Sequence, residues 1–232
     1  MKIYAISDLH LSNSCDKPMD VFGGNWEGYT DKIIQNWQDK ITDDDLVLIA
    51  GDISWAMKLE EVRGDLDWIN KLPGKKIIIK GNHEYWWKSI SSVRAILPDS
   101  ITAIQNDAVK IGDCIICGTR GWSVPEENKD FSEEDEKIYK REVERLKLTL
   151  RASKVLQTNN EKIICMMHFP PFDGSGNESG FTKLFEEFGV SVVVFGHIHG
   201  YTNCKLKQTK NDIIYYFTAC DHINNDPILI EV

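Results

Sequence analysis

Five short apolar runs in this chain each lead, within a few residues, to side chains able to hold a metal. That pairing limits the possible fold more than any other feature. The runs are Ile3–Ile6, Leu46–Ile49, Lys76–Ile79, Ile163–Met167 and Val192–Phe195. Their polar tips are Asp8-Leu9-His10, Gly51-Asp52, Gly81-Asn82-His83-Glu84, His168 and Gly196-His197-Ile198-His199, which take up five of the six histidines. Near-continuous Val/Ile/Leu runs of this length fit strands buried on both faces. If such strands end side by side, their tips meet at one rim. A cluster of imidazole, carboxylate and amide groups at a rim has metal binding as its obvious physical use.

The segments between the runs predict the remaining architecture. A Gly-containing loop (Ser12–Gly28) precedes a helix near Thr30–Lys40, and further helices are expected near Leu59–Lys71 and Trp86–Leu97. Alternating strand and helix over the first hundred residues indicates a largely parallel, helix-covered sheet. Ile101–Gln105, Ala108–Ile111 and Cys114–Gly118 are split by Asn106-Asp107 and Gly112-Asp113, both read as tight hairpin turns. An acidic loop (Pro125–Glu134) leads into a helix ending near Leu156, with an apolar stripe of Tyr139, Val143, Leu146 and Leu150. After a Gly/Ser loop (Asp173–Gly180) and a short helix, β runs are expected at Cys204–Leu206, Ile213–Thr218 and Pro227–Val232. The fold class is α/β (α+β), a two-sheet β-sandwich flanked by helices. Without a linker or repeat, residues 1–232 are expected to form a single domain.

A net charge of −9 argues against an extended nucleic-acid surface, which needs a basic face. No stretch reaches the ~20 apolar residues of a membrane span, and the N-terminus has no signal-peptide pattern. Cys114 and Cys117 lie three apart in a strand-like run, so they point to opposite faces and do not chelate one ion. Reduced, buried thiols and a cytoplasmic location are expected. The Asn177-Glu178-Ser179 glycosylation pattern is then coincidental.

The seven ligand-type residues Asp8, His10, Asp52, Asn82, His168, His197 and His199, with His83 beside them, exceed the needs of one tetrahedral ion and suit two. Imidazole with carboxylate favours manganese, iron or zinc over calcium. His83-Glu84-Tyr85-Trp86-Trp87 touches on a zinc-protease motif, but Trp87 stands where its second histidine must be.

The ordered blocks D-x-H, G-D, G-N-H-[D/E], His and G-H-x-H resemble the calcineurin-like metallophosphoesterases, from Asp8 through His199. The resemblance implies a four-layer sandwich with a dinuclear centre. Asp8, His10, Asp52 and His199 would hold one ion, and Asn82, His168 and His197 would complete a second that shares Asp52. It places His83 beside the substrate as the catalytic histidine. Two divalent cations, less two carboxylates and a bridging hydroxide, leave a net +1 that favours a phosphate ester. That hydroxide would attack phosphorus while His83 protonates the leaving oxygen.

The second block departs from the protein-phosphatase pattern G-D-x-V-D-R-G. It reads Gly51-Asp52-Ile53-Ser54-Trp55-Ala56-Met57, without the histidine-orienting Asp or the phosphate-binding Arg. Arg120 is a candidate replacement for that arginine, and His222 a second candidate substrate contact. Trp55, Trp86, Trp87 and Trp122 lie near motif loops, available for stacking on substrate or for packing below it, and Trp26 belongs to a candidate lid. A small phosphate ester is the expected substrate. The alternatives are a nuclease of the same family and a catalytically silent binding scaffold.

Overall fold

The apolar runs pair into two stacked sheets in the computed structural model, which describes residues 1–127, 130–200 and 202–232. The first sheet holds β1 (Ile3–Ile6), β2 (Leu46–Ile49), β3 (Lys75–Ile78) and β4 (Ile101–Ala103), with β11 (Ile228–Leu229) at its edge in the order β11-β1-β2-β3-β4. The second contains β5 (Ala108–Ile111), β6 (Cys114–Thr119), β7 (Lys162–Met167), β8 (Val190–Phe195), β9 (Lys207–Lys210) and β10 (Ile213–Phe217) in the order β5-β6-β7-β8-β10-β9. β1 to β4 run parallel, as do β6, β7, β8 and β10; the antiparallel strands β5, β9 and β11 each lie at a sheet edge.

Strand alternation sets the layering. Ile3, Ala5, Leu46, Leu48 and Ile77 face Ile116, Ile164, Met166, Val192 and Val194 between the sheets. The opposite face of the first sheet (Tyr4, Ile6, Val47, Ile49) packs on α1 (Tyr29–Lys40), α2 (Arg63–Asn70) and α3 (Ile90–Arg94) through Ile33, Trp37, Leu66, Ile69 and Val93. The outer face of the second packs on α4 (Glu133–Leu156) and α5 (Gly180–Glu187). Leu146 and Leu150 are buried there and Tyr139 and Val143 pack against them, so the expected stripe is the contact face. Cys114 lies between the sheets and Cys117 under the helices, as alternation requires, and all six cysteines are free. No helix among the described residues is long and apolar enough to cross a membrane.

Several boundaries differ from the sequence expectation. Asn106-Asp107 is no hairpin turn, because Ile101–Ala103 pairs with β3 while Ala108–Ile111 pairs with β6 in the other sheet. The segment is a crossing between sheets, and only Gly112-Asp113 closes a hairpin. The helix expected from Trp86 begins at Ile90, where Ser89 forms a capping box with Ser92. Trp86 and Trp87 are instead fully buried in the preceding loop, their packing overriding helical periodicity. The β run expected at Cys204–Leu206 lies at Lys207–Lys210, set by the Asn211-Asp212 turn in which both residues have positive φ.

Candidate metal centre

The C-terminal ends of β1, β2, β3, β7 and β8 open onto one rim, and each carries a polar tip. The β1 and β2 loops are zipped together: Asp8 N–H donates to Gly51 O, His10 N–H to Asp52 O and Leu11 N–H to Ile53 O, each at 2.9 Å. Ser7 N–H on Thr218 O (2.9 Å) ties the second sheet to this rim, and within that sheet Gly196 N–H on His168 O (3.0 Å) joins the β7 and β8 loops. Asp8, His10, Asp52 and His197 all have positive φ (60°, 44°, 50° and 76°). Left-handed backbone costs an ordinary residue on the order of 1 kcal/mol or more, and such strain concentrates at functional sites.

Two donor groups result: Asp8 with His10 and His199, and Asp52 with His168 and His197, the ligand atoms of each lying within 4.8 Å of one another. In the first, His10 Nε2 faces His199 Nε2 at 3.2 Å, and His199 Nε2 is 3.4 Å from Asp8 Oδ1. In the second, His168 Nε2 is 3.2 Å from His197 Nδ1, 2.7 Å from Asn82 Oδ1 and 3.3 Å from Asp52 Oδ2. The same Asp52 oxygen lies 3.8 Å from His10 Nε2. Imidazole nitrogens pointing at one another beside carboxylates form the donor set of a transition-metal site, so the residues fit such ions.

Surrounding groups fix these ligands. His168 Nδ1 meets Ala50 O at 3.1 Å, leaving Nε2 for the centre. Ser7 Oγ donates to Asp8 Oδ2 at 2.5 Å, and His197 N–H to the same oxygen at 3.0 Å. Gly81 and Gly196 allow the loops to close: a Cβ on Gly81 would collide with the Asp52 carboxylate, and one on Gly196 with Ser7 and Asp8.

Two supporting acids were not singled out from sequence. Glu84, fully buried, accepts N–H groups from Asp52 (3.0 Å), Ile53 (2.5 Å), Ser54 (3.3 Å) and Gly81 (2.5 Å), joining the β2 and β3 loops. Its place next to His83 in the motif was a signal. Asp221 meets His199 Nδ1 at 3.0 Å, and its only sequence signal is a position at the rim after β10.

The charge distribution follows the geometry. Burial pushes His10 and His197 down to about 4. Burial also opposes charge on His168 and His199, but carboxylates outweigh it: Asp52 leads in raising His168 to about 9, and Asp221 with Asp8 raises His199 to about 10. Each facing pair therefore couples one protonated and one neutral ring. Asp8 and Asp52 are likewise buried, yet the neighbouring histidines hold both carboxyls below their ordinary range.

A cleft of about 690 Å³ opens on this rim, lined by Met19, Phe22, Trp26 and Trp55 together with His10, His83, His199 and His222. His83 Nε2 is 3.9 Å from Asp52 Oδ2, and its ring lies against Trp55 at 4.5 Å. Trp55 occupies the position where the phosphatase motif has its orienting Asp, and among the described residues His83 Nδ1 is buried without a partner. Trp26 covers His10 and His199 edge-on at 5.9 and 5.3 Å. Of the expected site residues, His222 reaches the cleft and Arg120 does not: its guanidinium turns to Glu142 (3.4 Å) and lies over Trp122. Trp86 and Trp87 are packed away from the cleft.

The folded architecture and the sequence both have known counterparts. A protein of Thermus thermophilus, TT1561, aligns over 99% of this chain and 97% of its own with a TM-score of 0.59 at 12% identity. Phosphopantetheinyl hydrolase of Mycobacterium tuberculosis aligns over 94% and 89% with a TM-score of 0.54 at 14% identity. At such identities the likeness is one of fold. An uncharacterized protein of Methanocaldococcus jannaschii, MJ1445, is 32% identical over 89 residues, which span 36% of this chain and 47% of that relative, less than half its length. The calcineurin-like phosphoesterase pattern matches residues 1–201, the whole run from β1 through the last histidine motif. This chain belongs to the calcineurin-like phosphoesterase family.

Proposed function

We propose that the protein hydrolyses small phosphate esters at a centre of two transition-metal ions, manganese, iron or zinc. Asp8, His10, Asp52 and His199 would hold one ion, and Asp52, Asn82, His168 and His197 the other. The carrying observation is Asp52 Oδ2, 3.3 Å from His168 Nε2 and 3.8 Å from His10 Nε2, a single carboxylate oxygen that faces both donor groups. Ions held by these residues would supply a nucleophile from water at neutral pH and offset the charge building on the phosphoryl oxygens.

The chain's own residues do the rest. His83 lines the cleft but stands outside both donor groups, which supports a role in giving a proton to the departing alkoxide. Burial lowers its proton affinity, with Asp52 working in the opposite direction. Trp55 holds its ring by contact rather than by a hydrogen bond. The aromatic walls exclude water from one side of the centre and accept the organic part of the ester. Among the described residues no Lys or Arg lines the cleft, although Lys17 Nζ sits over the Trp55 ring. A dianionic monoester therefore lacks a guanidinium partner, which supports a preference for diesters.

The test combines elemental analysis of manganese-loaded protein with kcat/KM for bis(4-nitrophenyl) phosphate and 4-nitrophenyl phosphate. About two ions per chain are expected, with the diester turned over faster. Asp52→Asn should lose activity together with at least one ion. One ion per chain in the wild type, or an Asp52→Asn variant that keeps full metal and rate, would overturn the two-ion reading. A faster monoester would reverse the substrate order.

A further inference from the structure

A second cleft, about 280 Å³, lies at the ends of β3, β4 and β6 beneath α4 and shares no lining residue with the first. Lys80, Lys88, Arg120, Arg141 and Arg145 line it, with Glu142 the one carboxylate among the described lining residues. Five cations against one anion is a local excess of four positive charges in a chain of net charge −9. Such an excess does not follow from composition.

The distribution of hydrogen-bond donors and acceptors is equally uneven. Glu142 is fully buried, and a single oxygen, Oε1, serves three guanidinium groups: Arg145 at 2.7 Å, Arg120 at 3.4 Å and Arg141 at 3.7 Å. Its other oxygen accepts from Thr119 Oγ1 at 3.2 Å. Each guanidinium carries five N–H donors, so three offer ~15 against that one oxygen. Arg120 is only 20% exposed, and its Nε is buried with no partner among the described residues. Lys80 Nζ is held by Trp87 O at 3.0 Å, while Lys88 has no ion-pair partner among the described residues. Surplus donors around a concavity call for an acceptor with several oxygens and more than one negative charge. A tetrahedral phosphate has both properties, whereas a carboxylate offers only two oxygens.

We propose that this cleft is an anion site for a phosphate group, separate from the metal centre but joined to it through the backbone. Arg120 O accepts the N–H groups of His168 (3.1 Å) and Phe169 (3.0 Å), and Lys80 immediately precedes Gly81-Asn82. An anion drawn against Arg120 and Lys80 thus pulls on the loops that carry two of the proposed ligands. The ligand is free inorganic phosphate or the phosphoryl group of a larger molecule.

Titration calorimetry on the full chain distinguishes the two clefts. Inorganic phosphate and phenyl phosphate are titrated into the wild type, into Asp52→Asn, and into Asp52→Asn combined with Lys88→Gln or Arg145→Gln. All proteins are stripped of metal with a chelator and Asp52→Asn removes the shared ligand, so no ion is left at the metal centre to bind phosphate and the one saturable site that remains is assigned to the cleft. Each added substitution should weaken it about tenfold, the loss of one charge-assisted partner. Lys88→Gln leaves the Glu142 cluster untouched and so separates binding from folding. Tighter binding of phenyl phosphate would mark the organic ester as the natural form, and tighter inorganic phosphate the free ion. No saturable binding in Asp52→Asn, or affinity unchanged by Lys88→Gln and Arg145→Gln, would overturn the proposal.

Discussion

Filling the proposed metal centre should expel about three protons at neutral pH, two from histidines that ligation must deprotonate and one from the water that becomes the bridging hydroxide. The perturbation is addition of a divalent metal to metal-free protein. Against the effect of burial, Asp221 and Asp8 raise His199 to about 10, and Asp52 leads in raising His168 to about 9. Their facing partners, His10 and His197, are pushed by burial to about 4 and are neutral at pH ~7. Each pair thus carries one proton between nitrogens 3.2 Å apart, and an ion needs both lone pairs. The sign follows: below pH ~9 each site competes with a proton, so apparent affinity rises about tenfold per pH unit at each site. Calorimetry of metal binding in buffers of different ionisation enthalpy reads the number directly, as the slope of observed heat against buffer enthalpy. A slope near three protons is expected at about pH 7, declining as the pH passes ~9. A total of about one proton or fewer, which bound water alone would release, or affinity flat between about pH 6 and 8, would refute the assigned charge states.

Two further outcomes test individual residues. Asp221→Asn should weaken the ion held through His199 by about 10–100-fold while leaving the His168 site alone, measured by competition with a chromophoric chelator. The loss should be largest at alkaline pH, where the proton no longer competes; equal losses at both sites would mean that Asp221 supports the fold instead. His83→Ala should retain both ions and lose about 10²–10⁴-fold in rate on esters with poor leaving groups, with a smaller defect on nitrophenyl esters. Uniform losses across leaving groups would remove its role as proton donor, and lost metal would make it a ligand.

Much of the centre was legible in the chain itself, because a strand that ends at a sheet rim must deliver the next few residues there. Apolar runs followed by Asp8, His10, Asp52, Asn82, His168, His197 and His199 therefore encode convergence locally, and the sandwich layering follows from strand periodicity. Pairings between distant segments are not encoded locally. Asn106-Asp107 has the composition of a hairpin turn, yet strand partners on either side made it a crossing between sheets. Arg120 follows β6 as a rim residue should, but buried Glu142, contributed by α4, draws its side chain into a different cleft. Glu84 and Asp221 became supports for the centre only because folding set backbone amides around one and His199 against the other. Which residues reach the rim is written in the linear chain, since it depends on position along a strand. Which way each side chain turns there, and what it meets, emerges on folding, since it depends on charges and hydrogen-bond partners brought in from distant segments.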